Sequence, residues 1–393
     1  MTWPTARLGD VFEVGRGGSP RPIRDYLTDS PDGLNWIMIG DAIDGAKYIS
    51  STKNRIRPEG LKKTRMVREG DFLLTNSMSF GRPYILKTSG CIHDGWLVLS
   101  PMSEQVWPDF FYYLLGSETL YREFSRRAAG AVVKNLNISL VEQVRIPIPP
   151  LEDQKRIAEI LDAADTLRAK RREALAQLDQ LLQSTFLDMF GDPVTNSMGW
   201  EVGDLSDACS KISDGTHHSP PICEEGIPYI TAKHLKEDGL RFFDDPWFIS
   251  PEDHAGIFAR CDPSPGDVLY IKDGATTGIA AINRYDFEFS MLSSLALLKP
   301  LSDVITSEYL CAFLNDARSR AHLTGRMGGA AIKRLTLTKI KKFSIPLPPI
   351  GLQLRFGSIV EAIEQQRAKQ RSHLAELAAL FASLQQRAFR GDL

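Results

Sequence analysis

The chain has 393 residues, 43% of them hydrophobic and 24% charged, with 47 Lys and Arg against 49 Asp and Glu. That length has room for two or three domains, each with its own core, and the near-neutral balance means that a nucleic-acid partner has to be argued from local patches. No apolar stretch approaches the roughly 18 residues of a membrane span and MTWPTARLGD at the N-terminus holds no signal-peptide core, so the expectation is a soluble cytoplasmic protein.

Residues 1–148 mix short β-like runs with loops. Gly15–Pro22, GRGGSPRP, is a glycine-rich loop carrying Ser19 and Arg21. NWIMIGDAI, GDFLLTN, RPYILKTSG and GWLVLSP read as strands, and WPDFFYYLLGSETLYREFSRRA reads as an amphipathic helix. Between the first two strands, KNRIRPEGLKKTRMVR holds seven basic residues (Lys53, Arg55, Arg57, Lys62, Lys63, Arg65 and Arg68) and one acid, Glu59. Such a run suits a phosphate backbone and equally suits a solvated face. Two further loops, TNSMSFGRP with Ser79 and Arg82 and RRAAGAVVK with Lys134, are rich in small residues beside a cation.

Residues 149–192 change character. Pro149 and Pro150 stand before a stretch free of proline and glycine, Leu151 to Phe190, with acids in LEDQ where a helix N-terminus favours them. Ile157, Ile160, Ala164, Leu167, Ala174, Leu178 and Leu181 form a coiled-coil stripe that turns polar at Arg171.

Residues 193–347 repeat the first plan. IPYITAKHL with Lys233, GDVLYIKD, GIAAINR and SSLALLKP read as strands, and TSEYLCAFLNDARSRAHL reads as a helix. The loops are DGTHHSPP (Thr216, His217, His218), KDGATTGIA (Lys272, Thr276, Thr277) and RMGGAAIK (Arg326, Lys333). Peptide N–H groups and short hydroxyls in such loops can approach phosphates, so the named residues are DNA-binding candidates; the loops also serve as plain turns. Residues 1–150 carry 19 Lys and Arg against 16 Asp and Glu, whereas residues 193–349 carry 16 against 20.

Residues 348–393 form a second long helix, with Phe356, Ile359, Ile363, Leu377, Leu380 and Leu384 in its stripe and Gln366 and Gln370 at its polar middle. The two halves are one sentence written twice. RIPIPPLEDQKRI and SIPLPPIGLQLRF lie 199 residues apart (Ile146 to Ile345), and the same offset carries GAVVKNL onto GAAIKRL and Phe190 onto Phe389. A period this long indicates a duplicated domain with a duplicated helix. A helix of about 38 residues spans about 57 Å, too long to hide its stripe in one small domain. The expected fold is α+β, with two pseudo-symmetric domains at opposite ends of two long antiparallel coiled-coil helices. Two independent appendages for oligomerisation are the other arrangement.

Catalytic and metal chemistry is thinly represented. HSPPI at His218–Ile222 resembles an amino-methyltransferase motif but ends in Ile222 where an aromatic ring would stack on a flipped base. Asp109 and Asp153 serve better as helix caps than as nuclease ligands, there is no P-loop, and His217 and His218 lack a third ligand at helical spacing. The five cysteines (Cys91, Cys209, Cys223, Cys261, Cys311) show no CxxC and are expected to be buried thiols. No catalytic centre, metal or cofactor of the chain's own is expected.

IPIPPLEDQKRIAEILDAADTL, LLQSTFLDMFGDP, DGTHHSPP, EGDFLLTN with SPGDVLYIKD, and GAVVKNL with GAAIKRL, in this duplicated order, resemble the specificity subunits of type I restriction-modification enzymes over essentially the whole chain. The resemblance implies two target recognition domains, each reading one half of a bipartite, asymmetric double-stranded DNA sequence. It implies helices that set the gap between the halves and dock two methyltransferase subunits, with restriction/translocase subunits joining through them. S-adenosylmethionine would then sit on the methyltransferase subunits, and ATP and Mg on the restriction subunits. Departure from the repeat is sharpest where GLQLRF replaces EDQKRI. The competing class is a scaffold or inhibitor whose domains bind protein, which the acidic second domain keeps in play; an intrinsic methyltransferase is the third.

Overall fold

The computed structural model describes residues 3–43, 45–76, 81–128, 135–325 and 334–393. The chain divides into two units, residues 1–172 with 372–393, and residues 173–371. Each unit therefore holds one globular part and half of each long helix, Leu151–Phe190 and Ile350–Arg390.

In the first unit the central strand Phe72–Thr75, FLLT, is buried on both faces, which an apolar run without alternation requires. It lies between Trp96–Pro101 and Pro83–Leu86, antiparallel to both, with Phe72 opposite Leu99 and Ile85. Phe12–Arg16 and Tyr48–Ile49 complete this sheet, and a second sheet orders Asn54–Ile56, Leu34–Ile37, Gly90–Ile92 and Arg65–Val67. The second unit repeats the scheme: Val268–Ile271 pairs with Leu295–Pro300 and Ala280–Ile282, and Cys209–Asp214 lies outside Leu295–Pro300. In each unit a small ladder ties the first strand to the strand that leads into a long helix, Thr5–Arg7 with Arg145–Pro147 and Glu201–Asp204 with Ser344–Leu347.

The single amphipathic helix expected in each globular part is two. Pro108–Leu115 and Glu118–Ala128 break at Gly116 and Ser117, and Ser307–Asn315 and Ala317–Gly325 break at Asp316. The Ser117 hydroxyl accepts from Leu120 N–H and the Asp316 carboxylate accepts from Arg318 and Ser319 N–H, so each break starts a new helix with its own side-chain cap. NWIMIGDAI is likewise shorter as a strand: Leu34–Ile37 ends and Ile39–Asp41 turns as a 3₁₀ helix.

The start of each long helix is set by one buried glutamine. Gln154 accepts from Trp107 N–H at 2.9 Å and donates to the carbonyls of Gln105 and Pro149 at 3.0 and 2.9 Å. Gln353, 199 residues on, accepts from Thr306 N–H at 2.9 Å and donates to Val304 and Pro348 at 3.1 and 2.8 Å. Both are fully buried. GLQLRF thus keeps the glutamine of EDQKRI that makes these bonds, and the divergence around it leaves the helix start unchanged.

Within each unit the two helix segments run antiparallel. In the first, Arg156 donates to the Leu393 carbonyl while Arg168 lies 4.5 Å from the centre of the Phe381 ring. Ile157 and Leu161 share a core there with Phe381, Leu384 and Ala388. In the second, Phe186 and Phe190 pack on Phe356, and Arg367 pairs with Asp179 and Glu364. The seam is not quite the expected stripe. Leu167, Leu181, Ile359 and Leu380 are exposed, whereas Arg168 is half-buried and Arg367 buried at equivalent positions. The buried line keeps the seven-residue repeat but runs through the neighbouring row, Leu161 with Arg168 and Val360 with Arg367, one position past Leu167 and Ile359. The polar midpoint accordingly falls on these arginines, and Gln366 faces solvent.

Each globular part also closes over the far end of a helix. Phe389 packs edge-on to Phe110 at 5.7 Å, and Phe190 packs on Tyr309, the residue equivalent to Phe110, at 4.7 Å. The Trp3 indole donates to the Ala388 carbonyl at 2.8 Å and the Trp200 indole to the Phe190 carbonyl at 2.9 Å, capping the helix C-termini. Lys47 anchors the first helix, with Asp109 at 2.5 Å and Asp162 at 2.8 Å. Burial works against its charge, but the two carboxylates override that and raise its pKa. Among the described residues no helix is long and apolar enough to cross a membrane. The five cysteines are free thiols: Cys91, Cys209 and Cys261 are buried, and Cys223 and Cys311 half-buried.

Replacing Gln353 by alanine leaves Thr306 N–H and two carbonyls without partners in a dry site. At about 1–3 kcal/mol for a buried group left unpaired, Gln353→Ala should destabilise the protein by roughly 2–4 kcal/mol in urea unfolding, and Gln154→Ala by a similar amount. A loss under about 0.5 kcal/mol would mean that water replaces the amide.

Candidate nucleic-acid interface

In both units the described ends of the candidate loops meet at the end of the central strand. The residue that follows that strand is Asn76 in the first unit and the equivalent Lys272 in the second, and both are buried. Asn76 N–H donates to the Gly95 carbonyl and its own carbonyl accepts from Leu136 N–H; Lys272 N–H donates to Ser294 and its carbonyl accepts from Leu335 N–H. The chain just past the third loop of each unit, at Leu136 and Leu335, is therefore bonded to this strand end. The first loop arrives through a glycine pressed on the sheet: a Cβ at Gly17 would collide with the carbonyl of His93, and one at Gly215 with that of Met291. Only glycine permits this close approach.

In the first unit Asp94 ties the loops together. Its carboxylate accepts from the Ser19 hydroxyl at 3.0 Å and from His93 Nε2 at 3.0 Å, and Arg21 lies 3.6 Å away; its carbonyl accepts from the Asn76 amide at 2.8 Å. His93 Nδ1 accepts from Gly95 N–H, which places the ring proton on Nε2. The basic run borders this loop, because the Lys63 carbonyl sits against Gly18 and the Thr64 hydroxyl donates to the Ile92 carbonyl at 2.7 Å. Lys62 is exposed on the 3₁₀ turn Pro58–Lys63, and Lys63 donates to the Tyr26 hydroxyl at 2.7 Å. Arg65 crosses Gly15 toward Glu13 at 3.5 Å. Lys53 and Arg55 are exposed on the neighbouring sheet, Arg55 donating to the Pro31 carbonyl, and Arg82 is exposed past the second loop.

In the second unit the node is charged. Lys272, 2% exposed, lies 3.4 Å from Asp214 and 3.3 Å from Asp273. Asp214 also faces His217 at 3.5 Å and Arg260 at 3.9 Å, and Asp273 faces Arg334 at 3.1 Å. Thr216 is buried, its hydroxyl bonded within the loop to the His218 carbonyl, and Thr277 is buried with its hydroxyl on the Gly274 carbonyl. Lys272, Thr216 and Thr277 thus shape the loops from inside, while His217, His218 and Thr276 are exposed. Lys233 is apart from this node, over the Trp247 ring at 3.4 Å and paired with Asp245 at 2.7 Å. Its ammonium holds the Asp245 carboxyl below its usual range, and burial pushes the adjacent His234 imidazole down. Ser79, Lys134, Arg326 and Lys333 lie outside the described residues.

The residues that sequence reasoning missed are Asp94, Asp214, Arg260, Asp273 and Arg334. Asp214 and Asp273 lie inside loops already singled out, where their signal is a charge opposed to the loops' cations, and Arg334 directly follows one; Asp94 joins the loops only in the fold. Arg260 reaches the Gly215 carbonyl from a remote stretch and carried no signal.

A model of the type I restriction modification DNA specificity domain matches residues 1–178 and again 198–377. Relatives include the type I restriction enzyme MjaIX specificity subunit of Methanocaldococcus jannaschii, 23% identical over 387 residues, covering 92% of this chain and 86% of the relative. The StySPI specificity subunit of Salmonella potsdam is 23% identical over 427 residues, covering 100% and 89%. Among solved structures, a chain from a study of complex assembly and conformational transition of the type I R-M system aligns over 100% of this chain and 98% of its own length, with a TM-score of 0.58 at 22% identity. The type I S subunit from M. genitalium aligns over 98% and 96%, with a TM-score of 0.54 at 16% identity. Two matches to one domain model, each falling on one copy of the repeat, agree with the duplicated node of loops, and the chain belongs to the type I restriction-modification DNA specificity family.

Proposed function

We propose that the chain reads a bipartite, asymmetric DNA target, one half with each unit, for a type I restriction-modification complex. The observation that carries this is the duplicated node, in which the described ends of the loops meet at one strand end while the residue there differs, the neutral Asn76 in one unit and Lys272 between two carboxylates in the other. One scaffold with two chemistries suits two different half-sites. Exposed Arg21, Lys53, Arg55, Lys62, Lys63 and Arg65 would track phosphates in the first unit, and His217, His218 and Thr276 would face DNA in the second.

The long helices would set the distance between half-sites and carry two methyltransferase subunits, with restriction subunits joining through these. S-adenosylmethionine would be bound by the former, and ATP and Mg by the latter. Exposed Leu167, Leu181, Ile359 and Leu380 on the helices are apolar surface suited to such contacts.

Exchanging residues 195–345 for the matching stretch of a relative should alter one half of the methylated sequence and leave the other, as read by methylation mapping in cells; a change in both halves would refute separate readers. Lys62→Ala with Lys63→Ala, in the chain assembled with its methyltransferase subunits, should weaken binding to all sequences. The slope of log K against log salt should flatten by about 0.9 for each phosphate that is no longer neutralised. An unchanged slope removes the basic run from the interface.

A further inference from the structure

We infer that Arg334 is a specificity-determining residue of the second unit, reading a guanine edge with its two terminal nitrogens while Asp273 holds it in position. The inference rests on the proposed reading of DNA and names a residue for it. Arg334 directly follows the third loop, and its side chain is 52% exposed. Its Nε lies 3.1 Å from Asp273 Oδ1, and among the described residues Nη1 and Nη2 have no partner. The contact is an ion pair and not an Nε–H hydrogen bond, since Asp273 Oδ1 is buried without a hydrogen-bond partner; it leaves Nη1 and Nη2 as a planar pair of donors, the shape that meets guanine O6 and N7 together.

The tether is itself fixed. Asp273 Oδ2 lies 3.3 Å from Lys272 Nζ, and Lys272 is held from the other side by Asp214 at 3.4 Å. The backbone is fixed as well, through the antiparallel bridge between Asp273 and Arg334 and the bond from Leu335 N–H to the Lys272 carbonyl at 2.9 Å. Burying a lysine between two carboxylates is an expensive way to hold a surface arginine unless its direction matters. Pre-ordering also lowers the entropy lost when the fork meets its partner.

Charge favours a base edge over a phosphate. Asp273 already balances much of the guanidinium charge, which weakens a purely Coulombic grip on a phosphate but leaves the donor geometry intact for neutral acceptors. The second unit is also the acidic one. At the matching place the first unit has Asn135 for Arg334 and Asn76 for Lys272, so the device is absent there, as two readers of different half-sites require.

The test uses the full chain assembled with its methyltransferase subunits, with the wild-type target first read by methylation mapping and then randomised base by base. The half-site read by the second unit should contain a guanine whose preference falls roughly ten- to a hundredfold in both Arg334→Ala and Arg334→Lys, with the salt slope unchanged. Asp273→Asn should relax the same position to a smaller degree. Arg334→Lys keeps charge and stem, so it decides the matter if the alanine variant does not fold. The inference is overturned if that half-site has no guanine, if the slope flattens with preference intact (a phosphate partner), or if neither changes (a surface ion pair). A wild-type complex without sequence-dependent binding would instead overturn the proposed function and is distinguishable from all three.

Discussion

A glutamine with no solvent has to satisfy three backbone groups at once, and the geometry of each unit depends on it. Gln154 and Gln353 bond one carbonyl in the turn before a long helix and two backbone groups in the loop ahead of a short helix, Pro108–Leu115 or Ser307–Asn315. The direction in which the chain leaves each globular part is thereby fixed by hydrogen bonds that have no substitute in water. Everything downstream inherits that direction: the seam along the helices, the aromatic contacts of Phe190 and Phe389, and the indole caps from Trp3 and Trp200.

This constraint was legible in the sequence only as a surviving letter. PPLEDQ and PPIGLQ differ at three of six positions, both acids among them, and the divergence looked like a risk to the second helix, because charge at a helix N-terminus is easy to read and a buried amide is not. The strands FLLT and VLYI, the helix limits at Leu151 and Phe190 and the duplicated plan were readable because they follow from apolar runs, proline placement and repetition. The breaks at Gly116 and Asp316 were not, since each depends on a side-chain cap in its folded position. Arg168 and Arg367 entered the seam because the buried face runs through the row of Leu161 and Val360, one position past Leu167 and Ile359, and apolar spacing alone does not point to an arginine there.

The candidate interface was legible as loops and less so as residues. Composition pointed to the glycine-rich stretches, and the fold brings their described ends to one strand end in each unit. It did not separate Lys272, locked between carboxylates, from Lys62, which faces solvent, because burial of a lysine is a tertiary property. The same ambiguity hid the carboxylates. Asp94, Asp214 and Asp273 appear in sequence as charges opposed to DNA, whereas in the structure each one organises cations and hydroxyls around it. The acidic balance of the second unit is therefore compatible with reading base edges through a few oriented donors, and the basic first unit with a larger share of phosphate contacts.

Two units that each contain half of both helices lead to a demanding test of the two-reader account. Insert the same four residues into both helices at the division of the units, after Arg172 and after Arg371, which adds about 6 Å to each and nearly preserves its buried line. Map the methylated sequence of the complex in cells. The account predicts that both specific halves are kept and that the unspecified gap between them widens by one or two base pairs, each about 3.4 Å. An active complex whose gap is unchanged would contradict it, because the helices would then have no part in spacing the half-sites.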